Sequence, residues 1–203
     1  MGTFVEMTSS ASLSRPVRVL ALGGSTRPQS NTERALRYSA GLCASEGAEV
    51  RVVAGRDLII PIYDTETTQR EPRASEILAD IRWADALLLA SPGYHGGVSG
   101  LVKNVLDYVE DTRLDERPYL HDLPVGIIAV AHGWQAGVTT MEQLRTIAHA
   151  LRGWPTPMGA VLNPSVGLFD ADGRLVDANA AEQLAIVSRQ VLQAARANLA
   201  RQP

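Results

Sequence analysis

Val17-Arg18-Val19-Leu20-Ala21-Leu22-Gly23-Gly24-Ser25-Thr26-Arg27-Pro28-Gln29-Ser30-Asn31-Thr32 is the stretch on which the reading of this chain turns. Residues 17–23 form a short apolar run without strict alternation, the pattern of a strand buried on both faces of a parallel sheet. Gly23 and Gly24 then permit a tight turn. Ser30, followed three residues later by Glu33, has capping-box spacing ahead of Ala35 and Leu36, which marks a helix start. The stretch is a strand–turn–helix unit.

Outward from it the same unit recurs. Further short apolar runs fall at residues 50–54, 86–91, 125–131 and 159–163. Between and after them lie helical stripes: Leu101, Val102, Val105, Leu106 and Val109; Leu144, Ile147, Ala148 and Leu151; and Leu184, Val187, Val191 and Ala195. About five strand–helix repeats with short connections predict an α/β parallel sheet with helices on both faces. Residues 1–14, rich in Ser and Thr and without periodicity, read as a flexible N-terminal tail, and residues 15–203 as one domain. Trp154-Pro155 reads as a turn with a packed ring before the fifth strand. Residues 110–117, mixed in sign, read as a solvated loop.

Composition removes several classes of function. The 203 residues carry 19 basic and 22 acidic side chains and are 45% hydrophobic, so the chain can bury a core but shows no concentrated basic face for nucleic acid. A single cysteine, Cys43, excludes an internal disulfide framework and any multi-cysteine metal site. It falls inside the first predicted helix and reads as a small core residue. His95, His121, His132 and His149 have no metal-ligand spacing, and His121 and His149 read as solvated. Lys103 and Asp107, four apart on a helix, read as a surface ion pair. With no apolar run near the ~20 residues of a membrane span and no secretory signal pattern at the start, the expectation is a soluble cytoplasmic protein that uses neither membrane nor nucleic acid.

Parallel α/β sheets bind ligands beyond the carboxyl ends of their strands, which directs attention to three loops. After the first strand, backbone N–H groups at a helix start, the hydroxyls of Ser25, Thr26, Ser30 and Thr32, and the Arg27 guanidinium converge. That donor set suits a phosphate. A glycine turn in which Ser30 only caps the helix is the plain alternative; the position after the first strand favours phosphate. The loop is neither a Walker sequence nor G-x-G-x-x-G, and the chain has no G-x-S-x-G elbow, so a mononucleotide fits better than a triphosphate or dinucleotide. The second loop, residues 91–104, has glycines that let a flat ligand approach the main chain, and Tyr94 to stack on it or bond to it. The third is Ala131-His132-Gly133-Trp134-Gln135-Ala136-Gly137.

Gly24-Ser25-x-Arg27-x-x-Ser30, Pro92-x-Tyr94-x-Gly96 and Gly100-x-x-Lys103-Asn104-x-x-Asp107 together resemble the NAD(P)H-dependent FMN reductase family of flavodoxin-like proteins, over about residues 17–165. Leu58-Ile59-Ile60-Pro61-Ile62-Tyr63-Asp64 is similar to the family's segment after the second strand. The resemblance implies a three-layer sandwich with a five-stranded parallel sheet of order 2-1-3-4-5. It implies that Ser25, Arg27, Ser30, Asn31 and Thr32 hold the FMN phosphate, and that Pro92, Gly93, Tyr94, His95 and Gly96 line the isoalloxazine ring, largely through backbone groups. His132, Gly133 and Trp134 would lie near the flavin edge, where Trp134 either walls the ring or packs beneath the loop. The family commonly has Pro-Glu-Tyr-Asn-Gly-Ser where this chain has Pro92-Gly93-Tyr94-His95-Gly96-Gly97. The implied activity is hydride transfer from NAD(P)H to FMN, then onward to a small acceptor such as a quinone or azo compound or to a flavin-dependent monooxygenase, in a homodimer or homotetramer. The cofactor carries that chemistry, so no side chain is nominated as catalytic and no metal is expected. The competing reading is a flavodoxin-type FMN electron carrier without NAD(P)H turnover, against which Arg27 and a net charge of only −3 speak. A nucleotide-binding sensor without redox turnover is a third.

Overall fold

The computed structural model describes residues 15–201, and the expected tail, residues 1–14, lies outside them. The chain runs β1 (Arg18–Gly23), α1 (Asn31–Ser45), β2 (Glu49–Ala54), α2 (Pro72–Trp83), β3 (Ala86–Tyr94), β4 (Gly97–Val98), α3 (Gly100–Tyr108), β5 (Pro124–Val130), α4 (Trp134–Ala150), β6 (Trp154–Leu162) and α5 (Ala178–Leu199). The sheet order is β2-β1-β3-β5-β6, all parallel, with the short β4 antiparallel to the end of β3. Counting parallel strands alone, this is the expected 2-1-3-4-5 arrangement. No described helix is long and apolar enough to cross a membrane.

Alternation along the strands makes the three layers. Leu20, Leu22, Leu87, Leu89, Val125 and Ile127 pack with α2, α3 and α4 on one face. Val19, Ala21, Leu88, Ala90, Ile128 and Val130 pack with α1 and α5 on the other, as a side-chain period of two requires. Ser30 caps α1, its Oγ accepting from the Glu33 N–H at 3.2 Å. The Glu33 carboxylate accepts from Arg37 Nε at 2.9 Å instead of returning to the cap. Cys43 is fully buried between α1 and α5, and burial pushes its thiol up to about 11. His121 and His149 are exposed, and Lys103 pairs with Asp107 at 2.6 Å.

Three local expectations are corrected. β3 does not end at Ser91 but continues to Tyr94, where it turns back through β4. β6 begins at Trp154, not 159, and Trp154 is 64% exposed, its Nε1–H donating to Asp122 Oδ1 at 3.0 Å. Pro155, which suggested a turn, and Pro157 sit in an edge strand, where a missing N–H costs little. Gln190 and Gln183 of α5 accept the edge N–H groups of Met158 and Val161 at 2.9 and 3.1 Å, so that edge is covered. Residues 110–117 are also more than a solvated loop. The Asp111 carboxylate grips Arg70 through two bonds of 2.6 and 2.8 Å. Arg117 donates to the carbonyls of Ala84, Ile81 and Arg82 at 2.5 to 3.0 Å, closing the end of α2.

Candidate functional site

Strand order reverses between β1 and β3, since β1 is followed by β2 on one side and β3 on the other. The loops leaving β1, β3 and β5 surround a cavity of about 650 Å³ at that point, within the ~300–1,000 Å³ of ordinary ligand pockets.

The first loop is possible only because of its glycines. Gly23 has φ of 144°, and a Cβ there would lie 2.0 Å from the Ala90 carbonyl oxygen. The Gly24 N–H donates to that same oxygen at 3.2 Å, so the loop leaves β1 pressed against β3. Ser25 is buried, accepts from the Arg27 N–H at 3.3 Å and shares a 3.1 Å hydrogen bond with the Tyr94 hydroxyl. That bond ties the first loop to the second. Arg27 is exposed, and its guanidinium makes no hydrogen bond or ion pair with another described residue.

The second loop is a hairpin. His95 and Gly96 have φ of 53° and 78° between the paired residues Tyr94 and Gly97, the positive-φ pair of a two-residue turn for which Asn-Gly is the preferred sequence. His95 is thus a tolerated substitute for the asparagine common in the family. The glutamate common at 93 has no room in this arrangement: a Cβ on Gly93 would lie 2.7 Å from Thr140 Oγ1 and 3.0 Å from the Ala131 Cβ. Gln143 of α4 grips the hairpin with both ends of its amide. Oε1 accepts from the Val98 N–H at 3.1 Å, and Nε2 donates to the Gly96 carbonyl at 3.2 Å.

The Asn104 motif and the 58–64 motif form one structural unit. Asn104 Oδ1 accepts from the Tyr63 N–H and its Nδ2 donates to the Pro61 carbonyl, both at 2.9 Å, while the Tyr108 hydroxyl donates to the same carbonyl at 3.1 Å. Helix α3 therefore pins the 59–64 backbone.

Of the expected site residues, Ser25, Arg27, Ser30, Asn31, Thr32, Pro92, Gly93, Tyr94, His132 and Gly133 line the cavity. His95 and Gly96 form the hairpin turn outside that lining. Trp134 faces a separate depression of about 140 Å³, with Val161 and Val166 among its walls. Sequence reasoning did not single out Pro28, Gln29, Arg34, Val130, Ala131, Ala136 and Pro164 in the lining, or Gln143 behind it. Arg34 had a signal, lying one helical turn after the Ser30 cap; Gln143 had none, because its role depends on where α4 crosses the hairpin.

The lining is divided in polarity. The β1–α1 loop and the start of α1 contribute Arg27 and Arg34, hydroxyls and a helix N-terminus. The carboxyl ends of β3 and β5 and the chain that follows β5 contribute mainly Pro92, Tyr94, Val130, Ala131 and Ala136, with His132 as the member able to carry a positive charge. No Asp or Glu is among the described residues that line it. A ligand with a phosphate at one end and a flat apolar ring at the other fits both halves, as FMN does.

The chain is similar to an NAD(P)H-dependent FMN reductase of Pseudomonas aeruginosa, 31% identical over 174 residues covering 84% of this chain and 90% of the relative. It is also similar to an NADPH azoreductase of a Bacillus species, 26% identical over 78% of this chain and 82% of that one. In fold it matches a flavoenzyme NAD(P)H:(acceptor) oxidoreductase from Paracoccus denitrificans, at a TM-score of 0.72 and 18% identity, over 88% of this chain and 97% of that one. A flavodoxin, a WrbA-like protein from Agrobacterium tumefaciens, matches at 0.59 and 16% identity over 90% and 98%, and the fold is flavodoxin-like. The family model for NADPH-dependent FMN reductases matches residues 17–166, which include all three cavity loops, and the chain belongs to that family of oxidoreductases that work with FMN and NAD(P)H.

Proposed function

We propose that the cavity holds FMN, with its phosphate at the Ser25–Arg34 end and its ring against residues 92–94 and 131–136, and that reduced nicotinamide meets it there. The observation that carries this reading is one cavity at the strand-order reversal in which the first loop supplies cations and hydroxyls, the segments at and after the ends of β3 and β5 supply mainly apolar groups, and no carboxylate is among the described lining residues. FMN held there would supply the redox chemistry, two-electron transfer from NAD(P)H to a small acceptor such as a quinone or azo compound or to a flavin-dependent monooxygenase.

The chain's own residues bind and orient. The Ser30 hydroxyl accepts from the Glu33 N–H and so keeps its own hydrogen to donate to a phosphate oxygen. Arg27 closes over the phosphate from solvent, while Asn31 and Thr32 present the first turn of α1. Pro92, Gly93 and Tyr94 form one wall of the ring site, and His132 and Gly133, at the start of α4, stand on the other. We place the enzyme in the cytoplasm, where reduced nicotinamide is available, as a homodimer or homotetramer; a monomeric mass by light scattering at micromolar concentration would contradict that assembly.

The test is anaerobic. NADPH or NADH added to the FMN-loaded protein should bleach the visible flavin absorbance, and a quinone or azo dye should restore it. Bleaching by dithionite but by neither nicotinamide would favour an electron carrier instead.

A further inference from the structure

We infer that Arg34 is a second phosphate-binding guanidinium and the pre-organised one of the pair, an assignment that rests on reading the cavity as an FMN site. Arg34 lines the same cavity end as Arg27 and Asn31, one turn into α1. Unlike Arg27, it is held in place. Its Nη2 donates to Gln29 Oε1 at 3.1 Å, and its Cζ lies 5.7 Å from the centroid of the Phe169 ring. Phe169 belongs to the connection between β6 and α5 and is fixed there by a bridge to Leu175. The turn at Gly173 packs behind the guanidinium, close enough that a Cβ there would sit 3.6 Å from Arg34 Cζ.

These contacts define the geometry without exhausting the group. A guanidinium has five N–H donors in a planar fork, and the bond to Gln29 uses one of them. The remainder can grip an anion in the cavity with little further loss of side-chain freedom, whereas Arg27 must be ordered from solvent when it binds. The charge also matches. A phosphate monoester carries nearly two negative charges at neutral pH, and one arginine neutralises only half of that. Two guanidiniums with no opposing carboxylate among the described lining residues fit a terminal monoester better than the singly charged phosphates of a diester chain.

The experiment titrates FMN and riboflavin separately into wild-type protein, Arg34→Met, Arg34→Lys and Arg27→Ala, following flavin fluorescence. Arg34→Met keeps much of the aliphatic stem and removes the fork, and Arg34→Lys restores a cation. Arg34→Met should weaken FMN binding about ten- to a hundredfold and leave riboflavin binding unchanged, with Arg34→Lys recovering part of the loss. A parallel fall in riboflavin affinity would overturn the inference, because Arg34 would then only support the loop through Gln29 and Phe169. So would an unchanged FMN affinity, whether or not the KM for NADPH rose selectively over that for NADH. If Arg27→Ala weakens FMN while Arg34→Met does not, the inference about Arg34 fails and the FMN site stands. If wild-type protein binds riboflavin as tightly as FMN, the reading of the cavity itself fails.

Discussion

The sheet carries a cavity at each end, about 650 Å³ beyond the carboxyl ends of the strands and about 510 Å³ beyond the amino ends. At the amino end both signs of charge line the wall, and most of the charges, though not that of the exposed Glu116, are matched among the described residues. Arg117 is bonded to three carbonyls, Asp85 pairs with Arg15 at 2.5 Å, and the Asp122 carboxylate accepts from Trp154 Nε1 at 3.0 Å. At the carboxyl end the lining is cationic and much of its donor capacity is unmatched. Charge satisfied internally serves stability, whereas charge aimed into a cavity without partners waits for a ligand. Cavity size does not separate the two ends; the fate of their arginines does.

The largest expected effect tests whether the carboxyl-end loop is built into the fold. Gly23→Ala would drive a methyl into the Ala90 carbonyl at an unfavourable φ, costing on the order of 3 kcal/mol. Urea unfolding should show the loss, and a change below 0.5 kcal/mol would mean that the loop relaxes freely.

A matched pair of arginine deletions comes next. Arg27→Ala should cost roughly 1.5–3 kcal/mol of FMN binding with stability and riboflavin binding unchanged. Arg117→Ala should do the reverse, lowering unfolding free energy by about 1–3 kcal/mol while the FMN affinity of the folded protein stays the same. Calorimetric titration and denaturant melts of both variants separate the roles, and any exchange of the two outcomes would undo the comparison.

A third charged region, away from both cavities, sharpens the comparison through pH. The Arg70 guanidinium, bonded to Asp111, holds that carboxyl below the usual range. Because the folded-state value is depressed, the stabilisation is present above the ordinary aspartate pKa near ~3.9 and disappears as pH falls through the folded value. Asp111→Asn should therefore trail wild type by about 1 kcal/mol at neutral pH, and the gap should close below roughly pH 4. A gap that persists unchanged into strong acid would show that packing, not charge, is responsible.

The smallest effect concerns the hairpin. His95→Asn puts the residue best suited to positive φ into the turn and should stabilise the protein by less than about 1 kcal/mol, leaving FMN affinity intact. A destabilised variant would mean that the imidazole has a role the turn geometry does not reveal.

The contrast between the ends also explains what the sequence made legible. Strand runs, the Ser30 cap and the glycine loop are local patterns, set by neighbours within a few residues, and they translate directly into β1, α1 and the cationic end. Helix α2 was not among the stripes read, although its signal is local as well, with Pro72 at its first turn and Ala74, Ile77, Leu78 and Ile81 on its buried face. Other features depend on partners far away in the chain. Trp154 is exposed because β6 is an edge strand, which its own dipeptide does not disclose. Arg117 and Asp111 look like solvated charges until α2 and the 59–71 segment are brought against them. Gln143 looks like any exposed helical glutamine until β4 lies beside it. Trp134 shares a loop with His132 and Gly133, but helix rotation at the start of α4 turns it toward a different depression.

The most direct test of the central claim is an amide chemical-shift map recorded as FMN is added to isotope-labelled protein. The account predicts large shifts at residues 23–34, 92–98 and 131–136 and essentially none at 115–123 and 195–201. Shifts concentrated at the amino-end cavity, or spread evenly over both ends, would contradict it.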